Sequence, residues 1–138
     1  MIFSGTFSKN IDILNRSMDV ALLRRDVISD NIANSDTPHF KRSTVNFESQ
    51  LKRALDSEKT KPFPNLTTDP RHMTFHRPLN YQDVKPRRVW DYLTTSKNNG
   101  NNVDIEQETM NMLENQLLYQ TMATVLASEF NRINMVLR

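Results

Sequence analysis

Apolar residues recur at alternating steps of four and three near both ends of this 138-residue chain. Such spacing places them along one face of a helix with coiled-coil geometry. The N-terminal stripe consists of Phe7, Ile11, Leu14, Met18, Ala21, Arg25, Ile28 and Ile32, of which only Arg25 is polar. The C-terminal stripe consists of Ile105, Thr109, Met112, Gln116, Tyr119, Ala123, Leu126, Phe130, Ile133 and Leu137. The pattern predicts two long helices that bury these faces against each other or against other copies.

The first helix is predicted to run from Thr6 or Ser8 to about Asn34. The segment 35–38 stops it, because Ser35 and Asp36 are turn residues and Pro38 disfavours the helical conformation for Thr37. The second helix is predicted to begin at Asp104, whose carboxylate can accept a hydrogen bond from a first-turn amide.

Acidic residues cluster at the start of this second helix. Gln107 can reach back to Asp104 as in a capping box, and Glu106 and Glu108 meet the positive end of the helix dipole. These carboxylates therefore predict a helix start rather than an acidic active site.

The middle of the chain carries no long periodic pattern. Residues 46–56 predict a short helix, and five prolines between residues 57 and 102 exclude a further long element. The runs 72–76 and 88–93 have strand-like composition and predict a hairpin or edge strands. So long a connection in a small domain is typical of an interaction segment or of one ordered on assembly.

These elements predict a mainly α protein whose long N- and C-terminal helices pair as an elongated coiled coil or bundle. The helices would be roughly 42 and 51 Å long, which exceeds the diameter of a compact globule of this length. We expect a terminal helical domain formed by residues 1–40 and 101–138, and an extended middle segment, residues 41–100, with a short helix and an irregular or short β part.

Composition excludes several classes of protein. The net charge of +2 is too small to indicate nucleic acid binding, and the absence of cysteine excludes disulfides and thiolate metal sites. No apolar run is long enough to span a membrane, and the N-terminus lacks the features of a cleavable secretory signal. We therefore expect a protein that is cytosolic or leaves the cell by another route.

Two histidines have a spacing that would suit a metal on a helix. His72 and His76 are four residues apart, and Asp69 is the nearest further ligand. Because Pro70 and Pro78 bracket the pair, the spacing is interpreted as coincidence. Neither a metal nor another cofactor is predicted.

Cations and aromatic residues alternate in the run 85–88 and at Trp90 and Tyr92. A solvated strand or loop explains this run, but some nucleic-acid surfaces look similar. An alternative function is therefore a cytosolic coiled-coil adaptor whose basic middle segment binds nucleic acid. No catalytic residues are predicted, since no nucleophile, base and orienting group can be assembled from the spacing.

The most specific string in the chain is NIANSDTPHFK, residues 31–41. It resembles the signature of the bacterial flagellar rod and hook family, N-N/A-I-A-N-x-x-T-P-G-aromatic, at the end of the N-terminal helix. GNNVDIEQE, residues 100–108, followed by ENQLLYQ, residues 114–120, is similar to the stretch that opens the family's C-terminal helix. The matching residues are Asn31, Ile32, Ala33, Asn34, Thr37, Pro38, Phe40, Gly100, Val103 and Asp104. The short chain resembles the proximal rod members in particular.

One residue departs from the family motif, and the other motif residues are interpreted as shaping the turn after the first helix. His39 stands at the usual glycine and is expected to adopt a left-handed conformation with some strain. The amides of Asn31 and Asn34 are expected to bond freed helix carbonyls, and Asp36 and Thr37 to bond backbone amides across the turn. The motif would set the angle at which the middle segment leaves the helices.

The resemblance implies a structural, non-enzymatic rod subunit that assembles with other rod proteins to transmit torque. It implies export through the flagellar type III apparatus without signal cleavage, and a place in the periplasmic rod of the basal body. The implied partners are other rod proteins, the junction of membrane ring and rod, and the export apparatus, with peptidoglycan as an open alternative. Nucleic acid binding and membrane insertion are not implied.

Most stripe residues are expected to form the assembly interface: Phe7, Ile11, Leu14, Met18, Ile28, Ile32, Tyr119, Leu126, Phe130, Ile133 and Leu137. Phe7 and Ile11 also resemble the short element by which early export substrates engage the export gate, although packing explains them equally well. Arg25 is expected to set register, to pair with an acid on a neighbouring subunit, or to extend its charge to solvent.

Overall fold

The computed structural model of the chain describes residues 5–60, 68–69, 71–72 and 78–137. The elements in chain order are α1 (Thr6–Ala33), β1 (Ser43–Asn46), α2 (Glu48–Lys59), a 3-10 helix (Tyr81–Asp83), β2 (Arg87–Trp90) and α3 (Ile105–Val136). The described part of the chain is mainly helical, with one sheet in which β1 pairs with β2. These findings confirm the predicted fold class and both long helices. None of the described helices has the length and apolar character needed to cross a bilayer.

The chain forms two compact units. The first contains Met1–Val45 and Arg88–Arg138, and the second contains Asn46–Arg87. In the second unit α2 packs against the 3-10 helix, and the Ser57 hydroxyl accepts a hydrogen bond from the Leu79 amide at 2.9 Å. The short helix predicted over residues 46–56 is confirmed and extends to Lys59.

In the first unit, α1 and α3 pack as an antiparallel pair. Asn31 near the end of α1 contacts Glu108 near the start of α3, with a distance of 3.0 Å between Asn31 Nδ2 and Glu108 Oε2. Further along, Asn115 Nδ2 donates to the Ala21 carbonyl at 2.8 Å. From the first contact to the second, the residue number decreases along α1 and increases along α3, so the two helices are antiparallel. The predicted pairing of the two long helices is therefore confirmed.

The face that α3 turns toward α1 differs from the predicted stripe. Most of its buried and half-buried positions again step by four and three. They are Glu108, Asn111, Met112, Asn115, Tyr119, Met122, Ala123, Leu126, Glu129 and Ile133. Ile105 and Gln116, members of the predicted stripe, are exposed. The observed face differs from the predicted stripe because Glu108 and Asn115 have hydrogen-bond partners on the facing elements. Both residues are polar, so a pattern of apolar residues does not include them.

The strands correct one part of the sequence analysis. The run 88–93 does contain a strand, β2, but β2 pairs with β1, which was not predicted. The other run, 72–76, lies outside the described residues apart from His72, so the predicted hairpin between the two runs is not described. In β1 the residues alternate between buried and exposed, as expected for a strand with one face covered.

Candidate functional site

Polar side chains are concentrated where the end of α1, the start of β1 and the start of α3 meet. We call this cluster the polar junction and define it as Asn31, Arg42, Ser43, Asn101, Asn102 and Glu108. All of these residues except Arg42 are buried. Buried polar groups are costly unless they are hydrogen-bonded, so the partners of each one determine whether the junction stabilises the fold.

The amide of Asn31 holds β1 against α1. Its Nδ2 donates to the Ser43 carbonyl at 2.8 Å, and its Oδ1 accepts from the Ser43 amide at 3.1 Å. One side chain thus bonds both backbone groups of a single residue, as a neighbouring antiparallel strand does. The expectation that Asn31 bonds freed helix carbonyls is wrong. For Asn34 it is confirmed, because Asn34 Nδ2 donates to the Asp30 carbonyl at 2.8 Å.

Glu108 is the charged centre of the junction. Only 1% of it is exposed, and its Oε1 lies 2.6 Å from the Nε of Arg42. The same carboxylate accepts from Asn111 at 3.3 Å and from Asn31 at 3.0 Å. A buried carboxylate is tolerated when such partners replace water. The sequence placed Glu108 in the first turn of α3 correctly, but it missed that the side chain points inward to Arg42.

Two consecutive asparagines before α3 complete the junction. Asn101 Nδ2 lies 2.9 to 3.0 Å from the carbonyls of Asn34, Ser35 and Thr37, and so binds the turn that ends α1. Asn102 Oδ1 accepts from the Arg42 amide at 2.6 Å. Sequence reasoning did not single out either asparagine, although both lie inside the second motif. The sequence feature that could have identified them is two consecutive amide side chains shortly before the helix cap, Asp104.

The two motifs also meet at a pair of left-handed residues. His39 has φ 60 and Gly100 has φ 78, so the expected left-handed conformation of His39 is confirmed. A Cβ on Gly100 would lie 2.8 Å from His39 Nδ1, closer than real contacts allow. The His39 amide donates to the Asn99 carbonyl at 3.1 Å. Glycine at 100 therefore lets the histidine side chain lie against this turn.

Among the remaining motif residues, Asp36 and Thr37 make contacts other than the predicted ones, whereas Asp104 makes the predicted one. Asp36 pairs with the Lys97 ammonium at 3.3 Å, and the Thr37 hydroxyl lies 3.4 Å from Asn34 Oδ1. These contacts replace the expected bonds to backbone amides across the turn. Asp104 caps α3 as predicted, since its Oδ1 accepts from the Glu106 amide at 3.0 Å.

An aromatic pair supports the strand side of the junction. Phe40 meets Trp90 edge to face with 6.5 Å between ring centroids, and the Arg88 guanidinium lies 4.6 Å from the centroid of the Trp90 ring. Arg88 also pairs with Asp30 of α1 at 3.2 Å. Trp90 and Arg88 therefore have partners within the chain, which accounts for this part of the cation and aromatic run without nucleic acid.

A tight turn follows β2. Asp91 Oδ2 accepts from the Thr94 hydroxyl at 2.6 Å, and Asp91 Oδ1 accepts from the amides of Leu93 and Thr94. The hydrogen bond from the Thr94 hydroxyl is the largest of the effects that lower the pKa of Asp91, with further contributions from the two amides and from Arg42. The turn presents Tyr92 and Leu93 to solvent, with exposures of 70% and 97%.

Large apolar side chains also lie exposed on α3. Met110, Leu113 and Leu117 are 70%, 58% and 54% exposed. At about 100° per residue they lie on the side of α3 opposite Asn115, which faces α1. We call these three residues the outer face of α3. Together with the side packed on α1, they give the helix apolar residues on two opposite sides.

The predicted interface residues fall into three groups. Ile28 is buried within the chain, whereas Phe130 and Leu137 are exposed. The others are half-buried along the helix pair: Phe7, Ile11, Leu14, Met18, Ile32, Tyr119, Leu126 and Ile133. Phe7, Ile11 and Leu14 line a cavity of about 270 Å³ with Val125 and Glu129, so packing between the helices is less complete at this end.

Two further candidates have simple surroundings. Arg25 is exposed and lies 3.4 Å from its neighbour Asp26. Of the predicted histidine pair, His76 lies outside the described residues. In the described ranges, no three histidine, aspartate or glutamate side chains gather in a way that could hold a metal ion.

Comparison with known proteins matches both ends of the chain to one family. The family described as "Flagella basal body rod protein" matches residues 19–41, which include the first motif. The protein called "Flagellar basal body rod protein FlgB" in Borreliella burgdorferi is 45% identical over 96% of this chain and 98% of its own length. Its namesake in Borrelia hermsii is 42% identical over the same shares. That of Bacillus subtilis is 34% identical over 99% of this chain and 95% of its own length.

Proposed function

Because the chain belongs to the FlgB family of flagellar basal body rod proteins, we propose that its exposed apolar faces are the surfaces that pack against other subunits of the rod. Family membership establishes a structural subunit of the rod that associates with other rod components. The nucleic-acid-binding adaptor has no support from the relatives, which are rod proteins. The same relatives are structural proteins rather than known enzymes.

The outer face of α3 carries this proposal. Met110, Leu113 and Leu117 lie in a row on one side of the helix, and each is more than half exposed. A helix with apolar residues on opposite sides is typical of one covered on both sides. Since α1 covers only one side, a neighbouring subunit is the natural cover for the other.

We also propose how the rod is layered. The helix pair formed by residues 1–40 and 101–138 would form the inner layer, and the residues after Pro38 would make the outer contacts. The polar junction supports this division because it fixes where the chain leaves α1 and where it enters α3. In this arrangement the assembled helices transmit torque along the rod.

Export and location belong to the same proposal. The chain would leave the cytoplasm through the flagellar type III apparatus without signal cleavage and join the rod in the periplasm. Phe7 and Ile11 are half-buried beside a cavity at the open end of the helix pair, so only small movements would expose them to an export receptor. Peptidoglycan and the junction with the membrane ring are further proposed contacts.

A charge on the outer face tests the proposed function. The Leu117→Glu variant should be absent from isolated basal bodies and should fail to restore swimming to cells that lack the native protein, because burial of an unpaired charge at the contact is costly. The matched control is Gln107→Glu, which adds the same charge at an exposed polar position about 80° around α3 from Leu117. Circular dichroism of both purified variants should match the parent.

Two outcomes would contradict the proposed role of the outer face. If Leu117→Glu enters basal bodies and supports swimming as well as Gln107→Glu does, the outer face does not pack against another rod subunit. Failure of both variants would show that added charge alone blocks assembly and would remove the outer face as the specific cause.

A further inference from the structure

One buried polar atom in the described part of the chain has no hydrogen-bond partner, the Oδ1 of Asn115. The orientation of this amide is fixed, because Nδ2 must face the Ala21 carbonyl, to which it donates at 2.8 Å. Oδ1 is therefore a buried acceptor without a partner in the described part of the chain, which is unfavourable until a donor reaches it. An atom of this kind indicates a donor that arrives from outside the chain.

Asn115 lines two open cavities: one of about 270 Å³, which charged residues such as Arg42 and Glu108 also line, and one of about 420 Å³ between α1 and α3. The larger cavity is the more apolar of the two. Its other walls are largely apolar, from Leu22, Met112 and Tyr119, while Arg25 and Gln116 lie among the lining residues as polar groups. The volume suffices for a large side chain or two, since pockets for small organic ligands begin at about 300 Å³. The cavity thus calls for an apolar group that carries one hydrogen-bond donor.

The chain itself presents such a group elsewhere on the same unit. Of its exposed large apolar side chains in the described ranges, only Trp90 and Tyr92 carry a donor. Trp90 is already engaged by Phe40 and Arg88. Tyr92 is 70% exposed, and the Asp91 turn holds the backbone beside it through the amides of Leu93 and Thr94. A side chain presented on an ordered turn loses less entropy when it binds.

We propose that Tyr92 of one copy inserts into the cavity between α1 and α3 of a second copy and donates its hydroxyl hydrogen bond to Asn115 Oδ1. Leu93, beside it on the turn and almost fully exposed, would cover Leu22 and Met112 at the mouth of the cavity. Charge complements the fit, because Asp91 next to Tyr92 would approach Arg25 at the cavity.

The contact joins two different surfaces of the same chain. The Asp91 turn is bound to Asn102, just before α3, whereas Asn115 lies about 16 Å further along that helix at 1.5 Å per residue. A contact between unlike surfaces builds rings or open helical arrays rather than closed pairs. It is therefore suited to neighbours of the same kind in a tube. This inference rests on the proposed function and adds one contact between identical subunits.

Photo-crosslinking tests the contact in assembled rods. Gln116 is replaced by p-benzoylphenylalanine, which puts the crosslinker at the exposed edge of the cavity and leaves Tyr92 and Asn115 intact. Irradiated basal bodies should yield a dimer of this chain in which position 116 is joined to the peptide that contains Tyr92 and Leu93. The same crosslinker at Gln107, exposed on the opposite side of α3, should not give that product.

Two variants at position 92 extend the test. Tyr92→Ala, combined with the crosslinker at 116, should abolish the dimer, and Tyr92→Phe should lower its yield about fivefold, because one hydrogen bond of about 1 kcal/mol is lost. Since Tyr92 is exposed, neither change should disturb folding.

Three outcomes would overturn the contact: a crosslink to a different protein, a crosslink to another segment of a second copy, or no dimer from basal bodies in which immunoblotting detects the chain. In each of them the chain is still a rod subunit, so the proposed function survives. Absence of the parent chain from basal bodies would instead refute the proposed function.

Discussion

At one end of the pair formed by α1 and α3, the side chains find their partners within the chain. At the other end, apolar side chains remain partly exposed. At the polar junction, Asn31, Asn101 and Glu108 each make several hydrogen bonds and are almost fully buried. Toward the other end, Phe7 and Ile11 border a cavity and Phe130 stays half exposed. The side chains of the junction find their partners within the chain, whereas the far end keeps apolar surface exposed. We propose that this surface, like the outer face of α3, packs against other rod subunits.

The largest effect on the isolated chain is expected from Glu108→Ala. Removal of this carboxylate leaves Arg42 and Asn31 without a shared acceptor and should lower the free energy of unfolding by about 3 kcal/mol. The control is Glu106→Ala, which removes an exposed carboxylate from the same turn and should cost about 0.5 kcal/mol. Urea denaturation measures both. Equal midpoints for the two variants would mean that the junction contributes little to stability.

A smaller loss is expected from Gly100→Ala. The new Cβ would lie 2.8 Å from His39 Nδ1, and alanine would be held at φ 78, so about 1 to 2 kcal/mol should be lost. Gly5→Ala is the matched control, because nothing lies within 4 Å of a Cβ at that position. Thermal unfolding should show a lower midpoint for Gly100→Ala only. An unchanged midpoint would show that the turn can relax around the new side chain.

The smallest effect concerns pH. The pKa of Asp91 is lowered chiefly by the Thr94 hydroxyl, so the folded chain favours the ionised carboxylate. The resulting stability is present above the unfolded pKa, near 3.8, and is lost as pH falls through the lower folded value. The urea midpoint of Thr94→Val should therefore depend less on pH in that acidic range than the midpoint of the parent. Identical pH profiles would contradict this role of Thr94.

Local features of the fold could be predicted from the sequence. Pro38 ends α1, Asp104 caps α3 and His39 takes the left-handed conformation, because each depends on residues a few positions away. The pairing of α1 with α3 followed from periodicity over many residues.

The polar junction could not be predicted, because its bonds join distant parts of the chain. Asn31 and Glu108 are 77 residues apart, and Arg42 and Asn102 are 60 apart. For the same reason the sequence did not predict which face of α3 lies against α1. The residues of other elements that bond to Glu108 and Asn115 on that face are far away in the chain. The outer face of α3 was not predicted either, because the apolar stripe with coiled-coil spacing covers only one side of that helix.

Hydrogen exchange, measured on the purified chain and on isolated basal bodies, tests the contrast between the two ends most directly. In the purified chain, amides in residues 28–31 and 108–115 should exchange at least about tenfold more slowly than those in residues 8–14 and 126–133, because the junction opens only with the fold. In basal bodies the far end should become as protected as the junction. Uniform protection along α1 and α3 in the purified chain, or no gain at the far end on assembly, would contradict the account.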